Sequence, residues 1–591
     1  MSFVCLFSPS SSAPKLARAD CSVVSRACAN DLVTVWVPQG RLSRHFAEHG
    51  DWCGAGDVRL DKVDWLPSTT GRQVEGESDL HQLTTAVAEG GIDILSEIHG
   101  DFAVTIWNRV TGETIAARDP MGIKTLFWSQ HGNERAFTSH LEMLPTRREL
   151  DDEFIADYLV LGYSSNRTIW RDCHQCSTGA AHIFHDGDHK SVRYWSPERV
   201  ASSTDTEAEA VERFKEYFKR SVWSCLDGPC VWSQLSGGLD SSSVVCTADH
   251  LARSNDRRRQ LAGTLTLLDW FTGGTDARYS RVVSEHTSTP NARLVNYHAW
   301  RDFPDVPLAP QPYTYFPYAA RYRDMWALMY SNGATALLSG AGSDEVLLMT
   351  LLHLSDAMST GDLRSVISQL SQWTTKCGHS VWEAVFNLLM TTTRPRVRER
   401  AGVDIPPWIT KEFERQFGLV DRIIARGGEW APKGEKYRSA LTTAFSSMLL
   451  GFDRPAWDST VEMRYPFLYR PLVEYCIALP PMYKNRPGQT KWVLREAMRG
   501  ILPDEIRCRG AKDGIGGNYQ WSLKKYSAAI EYLLDHSILA QRGIIDSAAL
   551  AEHIGEAKRG SPGHSAHLMF TLSMETWLAV SEGRWIGAKA A

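Results

Sequence analysis

The chain has 591 residues, more than one ordinary core accommodates, so the sequence predicts at least two domains. Its net charge of −5 lacks the basic excess of a nucleic-acid-binding protein, so no nucleic-acid partner is expected. No stretch approaches about 18 uninterrupted apolar residues and no secretory signal is evident, so no membrane association is expected. Scattered cysteines, with one unpartnered CxxC at Cys173 and Cys176, predict a cytoplasmic protein without a zinc site.

Short apolar runs separated by Gly, Asn and Asp turns dominate residues 1–200, among them FVCLF, LVTVWVP, DFAVTIWN and AAHIFHD. Runs of this kind predict β-strands. Residues 79–98, DLHQLTTAVAEGGIDILSEI, instead carry apolar side chains at helical spacing. The first domain is therefore predicted to be rich in strands, with one helical segment.

The pattern changes between residues 197 and 206, where we place the boundary between domains 1–200 and 201–591. Thr204 or Asp205 is the predicted N-cap of the helix that follows. Beyond it, CVWSQL, LAGTLTLLDW and ATALLSG are continuous apolar runs separated by helical segments. This pattern predicts a parallel sheet buried on both faces, followed from about residue 351 by mostly helical structure.

A Gly-Gly turn and an aspartate follow the first of these strands in VWSQLSGGLDSSSVV, residues 231–245. Glycines let backbone N–H groups approach an anion, and a helix predicted to start near Ser241 adds partial positive charge. The loop lacks the GK[ST] and GxGxxG patterns of the Walker A and dinucleotide motifs. It nevertheless predicts phosphate binding.

A second loop repeats this design in ALLSGAGSDEVLL, residues 336–348. Ligands bind at the carboxyl ends of strands in open α/β sheets. Mg²⁺ takes one or two protein carboxylates and completes its shell with phosphate oxygens and water. Together the two loops predict a site for magnesium and a polyphosphate.

The segments SGGLDSS and LLSGAGSDE resemble the ATP-pyrophosphatase domain of the asparagine synthetase family, as do VEMRYPFLYRPLVEYCIALP, TKWVLREAMRGILP and RGAKDG further along the chain. GDFAVTIWNRVTGETIAARDPMGIKTLFW, residues 100–128, resembles the family's glutaminase-type domain. The resemblance implies an α/β protein. A degenerate class II glutaminase-like, Ntn-type αββα domain would precede an ATP-pyrophosphatase domain with a parallel sheet and many helices.

The family forms amides by activating a carboxylate as its acyl-adenylate and releasing pyrophosphate. The resemblance implies ATP and Mg²⁺ as cofactors, with Asp240 and Asp344 holding the metal. Lys512 matches a late lysine that neutralises charge on the adenylate and the pentavalent phosphorus. The implied ATP-binding residues are Leu235, Ser236, Gly237, Gly238, Asp240, Ser241, Ser242, Leu267, Ser339 and Gly340.

Three further residues have open roles. Glu462 and Arg464 either form a buried ion pair that orders the pocket or contact the substrate. Glu383 is a candidate pocket acid in the helical insert of residues 351–390, which resembles lasso peptide cyclases more closely than asparagine synthetases. The aromatic run QPYTYFPYAARY, residues 311–322, is a candidate part of a peptide-holding surface.

Glutamine-dependent members carry a nucleophilic cysteine directly after the initiator Met, where this chain has Ser2. Cys5 lies inside the run FVCLF and is expected to be a buried apolar residue. The family's NGEIYN-like glutamine clamp is also missing, and residues 65–80 stand in that region. We therefore expect an acceptor amine that arrives on the substrate, not ammonia.

Two groups of relatives use an amine carried by the substrate and lack glutaminase chemistry: β-lactam synthetases and lasso peptide cyclases. The former place Tyr three residues before the second aspartate and asparagine synthetases place Glu there, whereas this chain has Ala341. A peptide α-amine, with a pKa of about 8, needs less help from a base. Ala341 also leaves room for a bulky acyl-adenylate.

The expected function is therefore ATP-dependent lasso peptide cyclisation. An Asp or Glu side chain of a leader-free precursor peptide is adenylated and joined to the N-terminal amine as a macrolactam. A leader-cleaving protease and a leader-binding protein are the expected partners. The alternatives are a β-lactam synthetase-like or asparagine synthetase-like enzyme and, in another class, a non-catalytic peptide-binding scaffold.

Because Ser2 replaces the nucleophile, the purified protein should release no glutamate from glutamine in an enzyme-coupled assay. Cys5→Ala should leave product formation intact, with a packing cost of about 1 kcal/mol. Glutamate release that disappears in Cys5→Ala would contradict the expectation.

Overall fold

A computed structural model describes residues 2–8, 21–29, 31–61, 77–164, 166–254, 259–268, 275–295, 298–303, 305–306, 308–348, 350, 352–377, 403, 405–426, 435–447, 461–510, 516–560 and 565–583. Within these ranges no helix is both long enough and apolar enough to cross a bilayer.

Two antiparallel sheets form the first part of the chain. Their strands are β1 Val4–Ser8, β2 Cys21–Cys28, β3 Asp31–Pro38, β4 Phe46–His49, β5 Trp52–Leu60, β6 Gly100–Asn108, β7 Thr114–Arg118, β8 Phe127–His131, β9 Glu134–Thr138, β10 Cys173–Gln175, β11 Ala180–His185 and β12 Asp188–Arg193. The strand orders are β10-β8-β9-β1-β3-β2 and β12-β11-β7-β6-β5-β4. Helices α1 Leu42–His45, α2 Asp79–Gly90 and α3 Asp152–Leu161 accompany them.

The two sheets face each other across an aromatic core. Phe7 of β1 meets Trp107 of β6 and Phe137 of β9 edge-on, with ring centroids 5.7 Å apart in both pairs. Helix α2 packs on β4 and β5, and its buried residues Leu83 and Val87 have the predicted helical spacing. This sandwich confirms the glutaminase-like fold class of the first domain.

The second domain is built on a parallel sheet. Its strands are β13 Val231–Gln234, β14 Leu261–Leu268, β15 Asn291–Val295, β16 Ala336–Leu338 and β17 Glu462–Arg464, in the order β15-β14-β13-β16-β17. Helix α4 Glu207–Cys225 precedes the first of these strands, and helices α5 Leu239–Ser254, α6 Thr275–Thr287, α7 Ala319–Ser331 and α8 Ser343–Val346 lie between the strands in sequence.

The apolar runs of the central strands are buried on both faces, as predicted. Val231 and Leu338 pack in one core, whereas Trp232 and Leu337 pack in the core on the opposite face. The short runs that form the edge strands β15 and β17 were not predicted. They are only three to five residues long, and β17 carries two charged side chains.

Mostly helical structure follows, also as predicted. The helices are α9 Leu352–Thr360, α10 Leu363–Cys377, α11 Lys411–Phe417, α12 Leu419–Arg426, α13 Lys436–Ser447, α14 Arg470–Ala478, α15 Pro481–Lys484, α16 Trp492–Ala497, α17 Asp504–Arg507, α18 Gly516–Lys525, α19 Ser527–Asp535, α20 Ile538–Gln541, α21 Ser547–Arg559 and α22 Ser565–Ser581. A small hairpin of β18 Asn485–Arg486 and β19 Gln489–Thr490 precedes α16.

The CxxC pair does not form a common site. Cys173 packs in the cluster outside the first sheet, whereas Cys176 is buried in the core between the two sheets. Burial raises the pKa of each thiol to about 12. Both cysteines are therefore neutral packing residues in this structure.

The N-cap of α4 is Thr206, so the predicted cap at Thr204 or Asp205 was wrong. Thr206 Oγ1 accepts from the Glu209 backbone N–H, and Glu209 Oε2 accepts from the Thr206 N–H at 2.9 Å. The Asp205 carboxylate is used elsewhere, because it accepts from the Tyr475 hydroxyl at 2.6 Å. A reciprocal capping box therefore decides where the helix begins.

Thr206→Ala should lower the free energy of unfolding by about 1 kcal/mol, because the Glu209 backbone N–H loses its side-chain acceptor and the Glu209 carboxylate loses the Thr206 hydroxyl. Chemical denaturation followed by circular dichroism measures the change. Thr204→Ala is the matched control and should change stability by less than about 0.5 kcal/mol. Equal effects of the two substitutions would contradict the assignment of the cap.

Candidate functional site

The first glycine loop leaves the sheet at the carboxyl end of β13. Ser241 Oγ accepts from the Ser236 backbone N–H and lies within hydrogen-bond distance of Ser236 Oγ, at 3.0 Å in both cases. Gly237 has φ +70°, and a Cβ there would lie 2.5 Å from Tyr279 Cβ. The turn therefore needs glycine for both its conformation and its close approach to α6.

Helix α5 begins at Leu239, two residues before the predicted start near Ser241. Asp240 consequently lies in the first helical turn instead of the preceding loop. Ser242 is fully buried and its hydroxyl has no hydrogen-bond partner within the described part of the chain. A buried hydroxyl without a partner, at a helix N-terminus, fits an incoming phosphate.

The second loop leaves β16 and packs directly against the first. Ser339 Oγ donates to Gln234 Oε1 at 2.8 Å and accepts from the Ala341 N–H at 3.2 Å. A Cβ on Gly340 would lie 2.8 Å from the backbone nitrogen of Ser241. The backbone of the second loop touches the backbone at Ser241, so this position requires glycine.

The two carboxylates converge on the ammonium group of Lys491. Lys491 Nζ lies 2.7 Å from Asp240 Oδ1 and 2.6 Å from Asp344 Oδ1. Ser343 Oγ donates to the same Asp240 oxygen at 2.7 Å. Burial lowers the pKa of Lys491, but both carboxylates more than offset it, so the net pKa is raised and the lysine is charged.

These donors fit Mg²⁺. The Oδ1 atoms of Asp240 and Asp344 converge on the same place, where they contact the Lys491 ammonium group. One or two carboxylates are the usual protein contribution to a magnesium–phosphate site. Burial, followed by the charge of Asp344, raises the pKa of the neighbouring Glu345. Asp240 and Asp344 are thus the residues that would hold the metal.

Lys491 is the residue that the sequence reasoning missed. It stands in TKWVLREAMRGILP, one of the segments that carry the family resemblance, yet no role was assigned to it. It has φ +54° and is buried at the N-cap of α16. A lysine at the start of an otherwise apolar helical turn was the available signal.

The RGAKDG segment begins beside the first loop. Arg509 Nη1 donates to the Gly237 carbonyl at 3.2 Å, and its guanidinium lies 4.0 Å from the Tyr279 ring centroid. Arg495 Nη1 donates to the Arg507 and Arg509 carbonyls, which fixes this part of the segment. Lys512 itself lies outside the described residues.

The remaining predicted residues are only partly brought together. Leu235 is buried directly after β13, and Leu267 is half-buried toward the carboxyl end of the neighbouring β14. Glu462 Oε2 accepts from Arg464 Nε at 2.8 Å, so these two form the buried ion pair. Glu383 lies outside the described residues.

The region of the family's glutaminase nucleophile holds a hydroxyl and a buried thiol. Ser2 Oγ and His140 Nε2 form a 2.8 Å hydrogen bond. Cys5 is fully buried in β1, as predicted, and burial raises the pKa of its thiol well above the usual value. Of the segment that replaces the glutamine clamp, residues 65–76 lie outside the described residues.

Comparison with known proteins agrees with this geometry. The profile of the family described as "Asparagine synthase" matches residues 213–579, and one described as "Glutamine amidotransferase domain" matches residues 66–195. The chain is 23% identical over 471 residues to asparagine synthetase [glutamine-hydrolyzing] 3 of Bacillus subtilis, covering 74% of this chain and 71% of that one.

Two further relatives align over more of the chain. Amidase chry2 of Gibberella zeae is 22% identical over 562 residues, covering 84% of this chain and 81% of that one. A putative asparagine synthetase [glutamine-hydrolyzing] of Mycobacterium bovis is 22% identical over 550 residues, covering 88% and 82%. The class is that of ATP-dependent amide-forming ligases. The chain belongs to the asparagine synthase family.

Asp240→Asn and Asp344→Asn should each weaken Mg²⁺-dependent binding of α,β-methylene-ATP roughly 100-fold, because each removes one anionic ligand while nearly preserving shape. Isothermal titration calorimetry measures the affinity. Asp249→Asn, on the same helix but in an exposed pair with Arg253, is the control and should bind like wild type. Full affinity in Asp344→Asn would contradict the proposed metal ligands.

Proposed function

We propose that this chain is a cytoplasmic lasso peptide cyclase, which forms a macrolactam between an Asp or Glu side chain and the N-terminal amine of a leader-free peptide. The observation that carries the proposal is Ala341. It lies in the second loop between Ser339 and Asp344, with its methyl group packed partly against the core.

Ala341 supplies no acid or base at a position where relatives carry Glu or Tyr. An α-amine with a pKa of about 8 is partly neutral near neutral pH, so it attacks an adenylate without a strong dedicated base. Buried Cys5 is no candidate glutaminase nucleophile, which supports an amine that arrives on the substrate. A peptide with a free N-terminus satisfies both conditions.

The proposed chemistry has two steps. A carboxylate oxygen attacks the α-phosphorus of ATP, and the bond to pyrophosphate breaks. The peptide amine then attacks the acyl carbon, AMP leaves with the carboxylate oxygen, and the amine nitrogen releases a proton to solvent. Asp240 and Asp344 would hold Mg²⁺, which would neutralise charge on the phosphates, and Lys512 is the proposed cation at the adenylate.

The interior also offers space for a peptide. A cavity of about 790 Å³ lies between the domains and is walled by Trp170, Tyr313, Trp326 and Trp577. Helix α7 contributes Trp326 to this wall and also contacts the strand that leads into the first loop, since Gln234 Nε2 donates to Met325 Sδ at 3.6 Å. We propose that this aromatic cavity holds part of the peptide, because ring closure requires a preorganised conformer.

The precursor peptide, a leader-cleaving protease and a leader-binding protein are the partners that this function requires. A β-lactam synthetase-like or asparagine synthetase-like reaction would need a strong base or an ammonia source. A pure scaffold would not need two complete carboxylate loops. These features favour cyclisation over the alternatives.

Incubation of the matching precursor peptide with enzyme, ATP, Mg²⁺ and the leader-cleaving protease should give a product lighter by one water. Mass spectrometry should show both the acid and the N-terminus blocked, with AMP and pyrophosphate as co-products. Lys512→Ala should lower the rate more than it weakens ATP binding. Incorporated ammonia, a β-lactam from a small amino acid, or ADP as product would contradict the proposal.

A further inference from the structure

A cluster of four buried charges crosses the boundary between the domains. Lys124 Nζ, from the first domain, lies 2.5 Å from Glu462 Oε1 on β17 and 3.1 Å from Asp57 Oδ2 on β5. Glu462 also pairs with Arg464 at 2.8 Å. All four residues are less than 9% exposed. The cluster contains two cations and two anions, so its charges balance.

The charge of Lys124 is needed for this arrangement. Burial would raise the pKa of Glu462, but Lys124 and Arg464 hold it well below its usual range, so the carboxylate is ionised. Burial likewise opposes the charged form of Lys124, but Asp57 and Glu462 raise its pKa. Ion pairs in a low-dielectric interior constrain geometry strongly, because a lost partner leaves an uncompensated buried charge.

Strand β17 carries this constraint to the ATP loops. Glu462 and Arg464 pair in parallel register with Ala336 and Leu338 of β16. The Ser339 N–H donates to the Arg464 carbonyl at 2.9 Å. Ser339 Oγ in turn holds Gln234 and the Ala341 N–H. An unbroken series of contacts therefore joins Lys124 to the second glycine loop.

We propose that Lys124 is a positioning residue for the ATP site: its ammonium group fixes Glu462 and strand β17, and thereby the turn from Ser339 to Ala341. The glutaminase-like domain would thus contribute to nucleotide binding indirectly, by fixing the strand next to the second loop. The inference rests on the ATP site and not on the identity of the peptide.

The first test compares Lys124→Met with Arg422→Met. Arg422 is the control because it also reaches across the domain boundary to two carboxylates, with Nη1 2.6 Å from Asp157 and Nη2 paired with Glu153. It lies on helix α12, which packs on α3. Calorimetry with Mg²⁺ and α,β-methylene-ATP should show at least a roughly tenfold loss of affinity in Lys124→Met. Arg422→Met should change affinity less than about twofold, even where its melting temperature falls.

Lys124→Arg tests rescue. A cavity of about 60 Å³ borders Lys124 and Glu462 and leaves space for a larger cation. Affinity in Lys124→Arg should be within about threefold of wild type, since the charge is retained. Equal losses in Lys124→Met and Arg422→Met would overturn the proposal, because general loosening of the interface would explain both.

The double variant Lys124→Met/Asp57→Asn keeps the test decisive where the single variant fails to fold. It removes one cation and one anion, so the buried charges stay balanced while Glu462 keeps only Arg464. If the double variant still binds the nucleotide weakly, the result supports a positioning role for Lys124. If its affinity returns to the wild-type value, the proposal is overturned, because Lys124 would then only neutralise buried charge. A wild-type protein that does not bind the analogue would contradict the ATP site itself, and peptide cyclisation is tested separately by its product.

Discussion

Two carboxylates at the ends of neighbouring parallel strands repel each other unless a cation lies between them. In this chain Lys491 supplies that cation and holds Asp240 and Asp344 within 2.7 Å of a single nitrogen. Much of the second domain serves this arrangement. The central strands β13 and β16 set the two loops side by side, and α16 brings the lysine in from a segment about 150 residues further along the sequence than Asp344.

Main-chain contact between the loops depends on missing side chains. Gly237 lies against α6, and Gly340 lies against the backbone of Ser241, so neither position has space for a Cβ. The same absence frees N–H groups for an anion. Ligand binding at such a site therefore depends on accurate backbone positions. Contacts that fix the neighbouring strand help to maintain those positions. The ion pair between Glu462 of β17 and Lys124 of the first domain is such a contact.

Local patterns predicted much of this structure. The buried central strands, helix α2, the burial of Cys5 and both glycine loops follow from periodicity and from the conformational freedom of glycine. The edge strands β15 and β17 were missed, because short strands with charged side chains have no clear apolar signal. The cap of α4 was misplaced, since three neighbouring residues can all act as caps. The capping box of Thr206 with Glu209 sets the start of the helix, and the Asp205 carboxylate instead binds the Tyr475 hydroxyl.

What the sequence by itself determined is the class of fold and the pair of loops that carry the candidate chemistry, because these depend on residues close together in the chain. What only the tertiary structure decided is which distant charges meet. Lys491 reaches Asp240 across 251 positions, and Lys124 reaches Glu462 across 338. Neither ion pair can be recognised from a periodic pattern in the sequence, because a single long-range ion pair is specified by the packing of whole domains and not by local spacing.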